Sequence, residues 1–155
     1  EASIFRRMSV EDNLLSILEM RGLDAEAAQR RCNELLDDFG LQTIRESPGY
    51  ALSGGERRRA EIARALASEP RYMLLDEPFA GIDPIAVADL QGIVTKLREK
   101  GLGVLITDHN VRETLDVCDR AYVIKSGSLL ASGTSDEIGQ NEDVRKHYLG
   151  ESFKL

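Results

Sequence analysis

An apolar run, Tyr72-Met73-Leu74-Leu75, ends in two acids and a proline, Asp76-Glu77-Pro78. A short run of this kind reads as a buried strand, and open α/β sheets bind ligands beyond the carboxyl ends of their strands. Magnesium takes one or two carboxylates and keeps several waters, so Asp76 is expected to hold Mg2+, through water. Glu77, one residue on, points elsewhere and is placed to polarise an attacking water. Read alone, such a pair more often marks acids that simply end a strand at the surface.

A second constellation is Leu52-Ser53-Gly54-Gly55-Glu56, which opens a helical pattern. Ser53 is a natural N-cap, and the glycines let backbone N–H groups approach an anion at the positive end of the helix. By itself the pentapeptide also fits an ordinary capped helix after a flexible loop. Two further segments stand close by in order: Ala80-Gly81-Ile82-Asp83, and Thr107-Asp108-His109 at the end of the next apolar run.

These residues need elements to position them. Ser9 is expected to cap a first helix that carries Glu11 and Asp12 in its first turn and Leu14, Leu15 and Leu18 on its apolar face. A second helix is predicted from about Asp24 to Phe39, stopped at Gly40, with Leu35, Leu36 and Phe39 buried. After Ser47-Pro48-Gly49 comes the helix opened by Ser53, ending near Pro70. The pattern then alternates: a strand over 72–75, a helix over 84–100, a strand over 103–107 and a short helix over 111–118. That spacing predicts a parallel sheet with right-handed crossovers. Residues 120–124 and 128–132 flank Lys125-Ser126-Gly127 as a hairpin, and two short helices close the chain.

The composition suits a globular chain: 155 residues, 42% hydrophobic and 30% charged, large enough to bury a core. A net charge of -7 argues against a nucleic-acid backbone as the main partner. Arg57-Arg58-Arg59, the dense basic run, reads as a solvated helix face. No apolar run approaches the roughly 18–20 residues that span a bilayer, so a membrane role is expected only through partners. Cys32 and Cys118 read as buried reduced thiols, and two histidines are too few for a zinc site without much help. The chain opens on Glu1, with Phe5 already in an apolar pattern, and reads as part of something longer.

Taken together, the order and separation of these segments resemble those of ABC ATPases. The resemblance implies a P-loop NTPase fold. It makes Leu52 to Glu56 the signature motif, with Ser53, Gly54, Gly55 and Glu56 as nucleotide-contacting residues. Asp76 and Glu77 become the Walker B pair, Asp83 lies in the D-loop and His109 is the switch histidine that senses the γ-phosphate. It implies ATP and Mg2+ as ligands and a homodimer in which two ATPs are sandwiched, each facing Ser53-Gly54-Gly55 of the other copy. Transmembrane permease subunits are the implied partners, on the cytoplasmic face of the inner membrane of a Gram-negative bacterium. The implied division is a helical subdomain over 1–52, a core part over 53–133 with signature helix, Walker B, D-loop, switch histidine and hairpin, and C-terminal helices and tail over 134–155.

Phe5, Arg6 and Arg7 would line the groove that receives a coupling helix; the alternative is a packed aromatic beside two solvated arginines. No Gly-x-x-x-x-Gly-Lys-Ser/Thr occurs, and Glu1 would follow the family's Q-loop glutamine directly. The 155 residues are therefore expected to be part of an ABC ATPase core without the Walker A strand and loop, and inactive alone. Within the family, segments 1–10, 52–59, 79–84, 105–115 and 148–155 resemble lipopolysaccharide-export ATPases most. A branched-chain amino-acid importer ATPase, or a non-transport ABC protein, is the alternative.

Overall fold

Ser9 and Asp24 start the first two helices as their side chains dictate. The Ser9 hydroxyl accepts Asp12 N–H, and the Asp24 carboxylate accepts Ala27 N–H. The structure is a computed structural model, described here for residues 3–149; Glu1-Ala2 and the tail from Gly150, both part of the family resemblance, lie outside those residues. Helix α1 spans Val10–Met20 and α2 spans Ala25–Asp38. Leu14, Leu18, Leu35, Leu36 and Phe39 are buried between them. Gly40, at φ +60°, turns the chain out of α2 as a C′ glycine does.

Helix α3 (Gly54–Leu66) leads to strand β1 (Tyr72–Asp76), helix α4 (Pro84–Glu99), strand β2 (Gly103–Thr107) and a short helix α5 (Val111–Leu115). Strands β1 and β2 pair in parallel, with Asp76 opposite Thr107. Helices α3 and α4 bury Ala60, Ile62, Ala63, Leu90, Val94 and Leu97 in the same core as α1 and α2. Strands β3 (Ala121–Lys125) and β4 (Ser128–Gly133) form the antiparallel hairpin, joined through Ser126 and Gly127, both at positive φ. Two positive φ values make the primed turn whose twist matches the strands. Helix α6 (Ser135–Gln140), the turn Glu142–Val144 and the segment Arg145–Leu149 complete the described chain. They enclose a second, small core of Leu115, Ile138 and Val144.

Four expectations need correction. Strand β1 is buried on one face only: Met73 is inside, whereas Tyr72 and Leu74 are 76% and 73% exposed. The helices cover one side of the two-stranded sheet, and Leu105 of β2, 58% exposed, continues the uncovered side. Arg57-Arg58-Arg59 is not a solvated face. Arg57 is exposed, but Arg58 pairs with Glu61 at 3.1 Å and Arg59 with Asp89 at 3.6 Å, because the α3 surface there faces β1 and α4. Of the thiols, Cys32 is fully buried, and burial pushes its pKa up to about 11, while Cys118 is only half-buried. Helix α5 is also shorter than expected, ending at Leu115.

Candidate functional site

The parallel register brings Asp76, Glu77 and His109 to one edge of the molecule. At the end of the ladder Thr107 Oγ1 donates to Asp76 Oδ1 at 2.6 Å, and Glu77 N–H donates to Thr107 O at 2.7 Å. Glu77 sits at φ +45°, a left-handed conformation that costs a non-glycine residue about 1–2 kcal/mol. The turn it makes aims its carboxylate across to β2's exit, where His109 Nδ1 lies 3.5 Å from Glu77 Oε1. Both side chains are open to solvent.

Behind the pair sits Asp108, whose side chain is fully buried. Its Oδ2 accepts Phe79 N–H at 3.0 Å and its Oδ1 accepts Asn110 N–H at 2.8 Å. One carboxylate thus ties the turn after Glu77 to the loop that carries His109. Its neighbours Asp76 and His109 had chemistry that the sequence made visible, but its backbone partner at Phe79 is remote in sequence and gave no signal.

The N-terminus of α3 packs beside this edge. Ser53 and Glu56 form a capping box: Glu56 N–H donates to Ser53 Oγ, and the Glu56 carboxylate accepts Ser53 N–H at 2.8 Å and Oγ–H at 2.6 Å. These bonds, the hydroxyl's first, hold the Glu56 carboxyl below the usual carboxylate range. A Cβ at Gly54 would meet Ile82 Cγ2 at 3.3 Å, and one at Gly55 would meet Ala86 Cβ at 2.8 Å. Asp83 caps α4, its Oδ1 accepting Ile85 and Ala86 N–H, both at 3.0 Å. Gly54, Asp76 and Glu77 line one cleft of about 520 Å³, together with Arg57 and Arg58. His109 lines an adjoining cleft of about 480 Å³. Ser53 is exposed and lines neither cleft; its hydroxyl is engaged by Glu56.

Phe5, Arg6 and Arg7 form an exposed turn at a separate surface, with Phe5 half exposed and its ring centroid 4.4 Å from Arg64 Cζ. Tyr50, also exposed, donates its N–H to Arg6 O at 2.9 Å. The turn hangs on Asn13, 1% exposed, whose Oδ1 accepts Phe5 N–H and whose Nδ2 donates to Phe5 O and Ser9 O. A polar residue inside the apolar stripe of α1 was the signal that could have revealed it. Among the described residues, no three His, Cys, Asp or Glu side chains cluster into a metal cage.

Parallel strands that carry an Asp-Glu pair and a histidine at adjacent carboxyl ends, beside a glycine-rich helix N-terminus, define an ABC-type P-loop ATPase core. The chain belongs to that family: the family model described as ABC transporter matches residues 1–80. A second model, described as branched-chain amino acid ATP-binding cassette transporter, matches residues 128–154. The lipopolysaccharide export system ATP-binding protein LptB of Escherichia coli (strain K12) is 60% identical over 156 residues, covering all of this chain and 65% of that protein. The protein of the same name from Haemophilus influenzae is 56% identical over the same shares of both chains. The chain therefore spans about two thirds of the length of these relatives. Among solved structures, MJ1267, an ATP-binding cassette of an ABC transporter, superposes with a TM-score of 0.81 at 27% identity, covering 94% of this chain and 64% of that one.

Proposed function

We propose that the whole protein to which these residues belong is the ATP-hydrolysing subunit of an ABC transporter, one that powers extraction and export of lipopolysaccharide from the inner membrane. The observation that carries the hydrolytic reading is the Glu77–His109 pair, 3.5 Å apart at the exits of two hydrogen-bonded parallel strands. Glu77 orients a water and accepts its proton as the water oxygen bonds to the γ-phosphorus and the bond to the β–γ bridging oxygen breaks. His109 faces the γ-phosphate and holds the water's approach together with Glu77. The exposed Asp76 carboxylate, with one oxygen engaged by Thr107, fits a hydrated Mg2+, which takes few carboxylates and many waters. The ion, when bound, neutralises phosphate charge.

Ser53, Gly54, Gly55 and Glu56 present the N-terminus of α3, and Asp83 the start of α4, to the ATP held by a second copy. The outward placement of Ser53 supports that division of labour. The loop that cradles the β- and γ-phosphates falls to the third of such a protein outside these residues. In this reading residues 1–52 are the helical subdomain, 53–133 the core part and 134–155 the C-terminal part. The exposed Phe5-Arg6-Arg7 turn receives a helix of a membrane subunit. In this reading the protein meets the membrane through those subunits, on its cytoplasmic face; no helix among the described residues is long and apolar enough to cross a bilayer.

In the full-length protein, Glu77→Gln is expected to keep ATP affinity and lose turnover by at least about 100-fold. Wild-type turnover in that variant would overturn the role of Glu77. The cargo is tested by ATP-dependent lipopolysaccharide release from proteoliposomes that hold the complex. The match of residues 128–154 to the branched-chain amino acid transporter model favours a second reading, an amino-acid importer ATPase. Amino-acid uptake without lipopolysaccharide release in the same vesicles would select it.

A further inference from the structure

Of the three consecutive arginines on α3, Arg57 is exposed and Arg59 turns to Asp89, but Arg58 reaches the catalytic edge. Its Nη2 donates to the backbone oxygen of Glu77 at 3.2 Å, while Nη1 meets Glu61 Oε2 at 3.1 Å. Glu61 is almost wholly buried and Arg58 largely so, which fixes the direction of the guanidinium. The amide on the other side of Glu77 is held by Thr107 O at 2.7 Å. The two peptide groups flanking Glu77 are therefore anchored to different elements, one to β2 and one to α3.

A non-glycine residue stays in the left-handed region only when its surroundings over-determine it. At φ +45°, Glu77 is such a residue, and its carboxylate direction follows from that backbone. We infer that Arg58 is a positioning residue for ATP hydrolysis: it anchors the strained Glu77 peptide to the signature helix, so that the position of that helix sets the aim of the general base. This rests on the hydrolytic, two-copy reading above. There, the start of α3 faces the nucleotide of one site and Glu77 serves the other. Gly54 seats the same helix end on Ile82 and Gly55 seats it on Ala86 of α4, so α3 meets the segment after Glu77 at Gly54 and Arg58. Engagement of one ATP by Ser53-Gly54-Gly55 is then felt at the base of the other, with the Arg58 bond as the contact that reaches Glu77 itself.

A simple i,i+3 ion pair with Glu61 would contribute stability and nothing else. Steady-state ATPase assays on the full-length protein with its membrane subunits separate the two, using Arg58→Ala, Arg58→Lys and Glu61→Gln with melting curves for each. Arg58→Ala is expected to lower kcat about 10- to 100-fold with KM for ATP held within about twofold, as small misplacements of a reacting group do. Its Hill coefficient should fall toward about 1. Arg58→Lys, which keeps a donor, should recover much of kcat, and Glu61→Gln, which removes the ion pair alone, should retain most of it. Wild-type kcat and cooperativity in Arg58→Ala would overturn the inference. So would Glu61→Gln matching Arg58→Ala in both kcat and melting temperature. Measured alongside, Glu77→Gln assigns the failure. If it loses turnover while Arg58→Ala is normal, only the link fails; if it turns over normally, the underlying reading fails.

Discussion

Asn13 directs its side-chain amide to a single loop. Its oxygen accepts Phe5 N–H at 2.8 Å, and its nitrogen donates to Ser9 O at 2.8 Å and Phe5 O at 3.1 Å. Leucine would fill similar space but take the acceptor from Phe5 N–H, while Ser9 O keeps Asn13 N–H and Phe5 O keeps Met8 N–H. Asn13→Leu is expected to lower stability by about 1–2 kcal/mol, read from the midpoint of urea unfolding. A midpoint within error of wild type would mean the loop does not depend on this side chain. At this scale the sequence was uneven. Asp76, Glu77 and His109 stood out as candidates because their types are chemically distinctive and each lies at or just past the end of a strand. Asn13, Asp108 and Arg58 were not, because each acts on a backbone group that only folding brings near. Arg58 was read as solvated, since a run of like charges on a helix usually is.

Helix α3 was legible as an element from the Ser53 cap, and the structure adds the reciprocal Glu56 bond. The two glycines after the cap read alike in sequence, both as room for a phosphate. Their surroundings differ. A Cβ on Gly54 meets the end of the Ile82 side chain at 3.3 Å, which can shift, whereas one on Gly55 meets Ala86 Cβ at 2.8 Å, which cannot without moving α3 from α4. Gly55→Ala should therefore cost about 1–3 kcal/mol, as overpacking does, and Gly54→Ala well under half of that. Equal melting temperatures for the two variants would contradict close packing at Gly55. Strand β1 shows the opposite limit: its apolar run announced a strand, but a run of four apolar residues does not say which faces are covered.

Across the whole molecule, the helices shield one side of the β1–β2 sheet and leave Tyr72, Leu74 and Leu105 exposed on the other. The hairpin adds Tyr122, Ile124 and Leu129, each more than half exposed. Apolar surface on that scale, beside unpaired strand edges, favours association. The 155-residue chain on its own is expected to self-associate as concentration rises, and Leu74→Lys with Leu105→Lys to suppress this without loss of helical content. Sedimentation showing a monomer at high concentration would mean the face is less adhesive than its area suggests.

Read by itself, the sequence determined the element order, the parallel strand pair, the capped helix and the chemical identities of the candidate residues. Those follow from local rules: side-chain periodicity, capping chemistry, turn residues, and motif spacing along one chain. Tertiary structure decided how the residues meet. It set Glu77 in a left-handed turn opposite His109, buried Asp108 as a clamp between two loops, aimed Arg58 at a backbone oxygen and left one sheet face bare. These depend on contacts between segments far apart in sequence, and no local pattern encodes the distance between them.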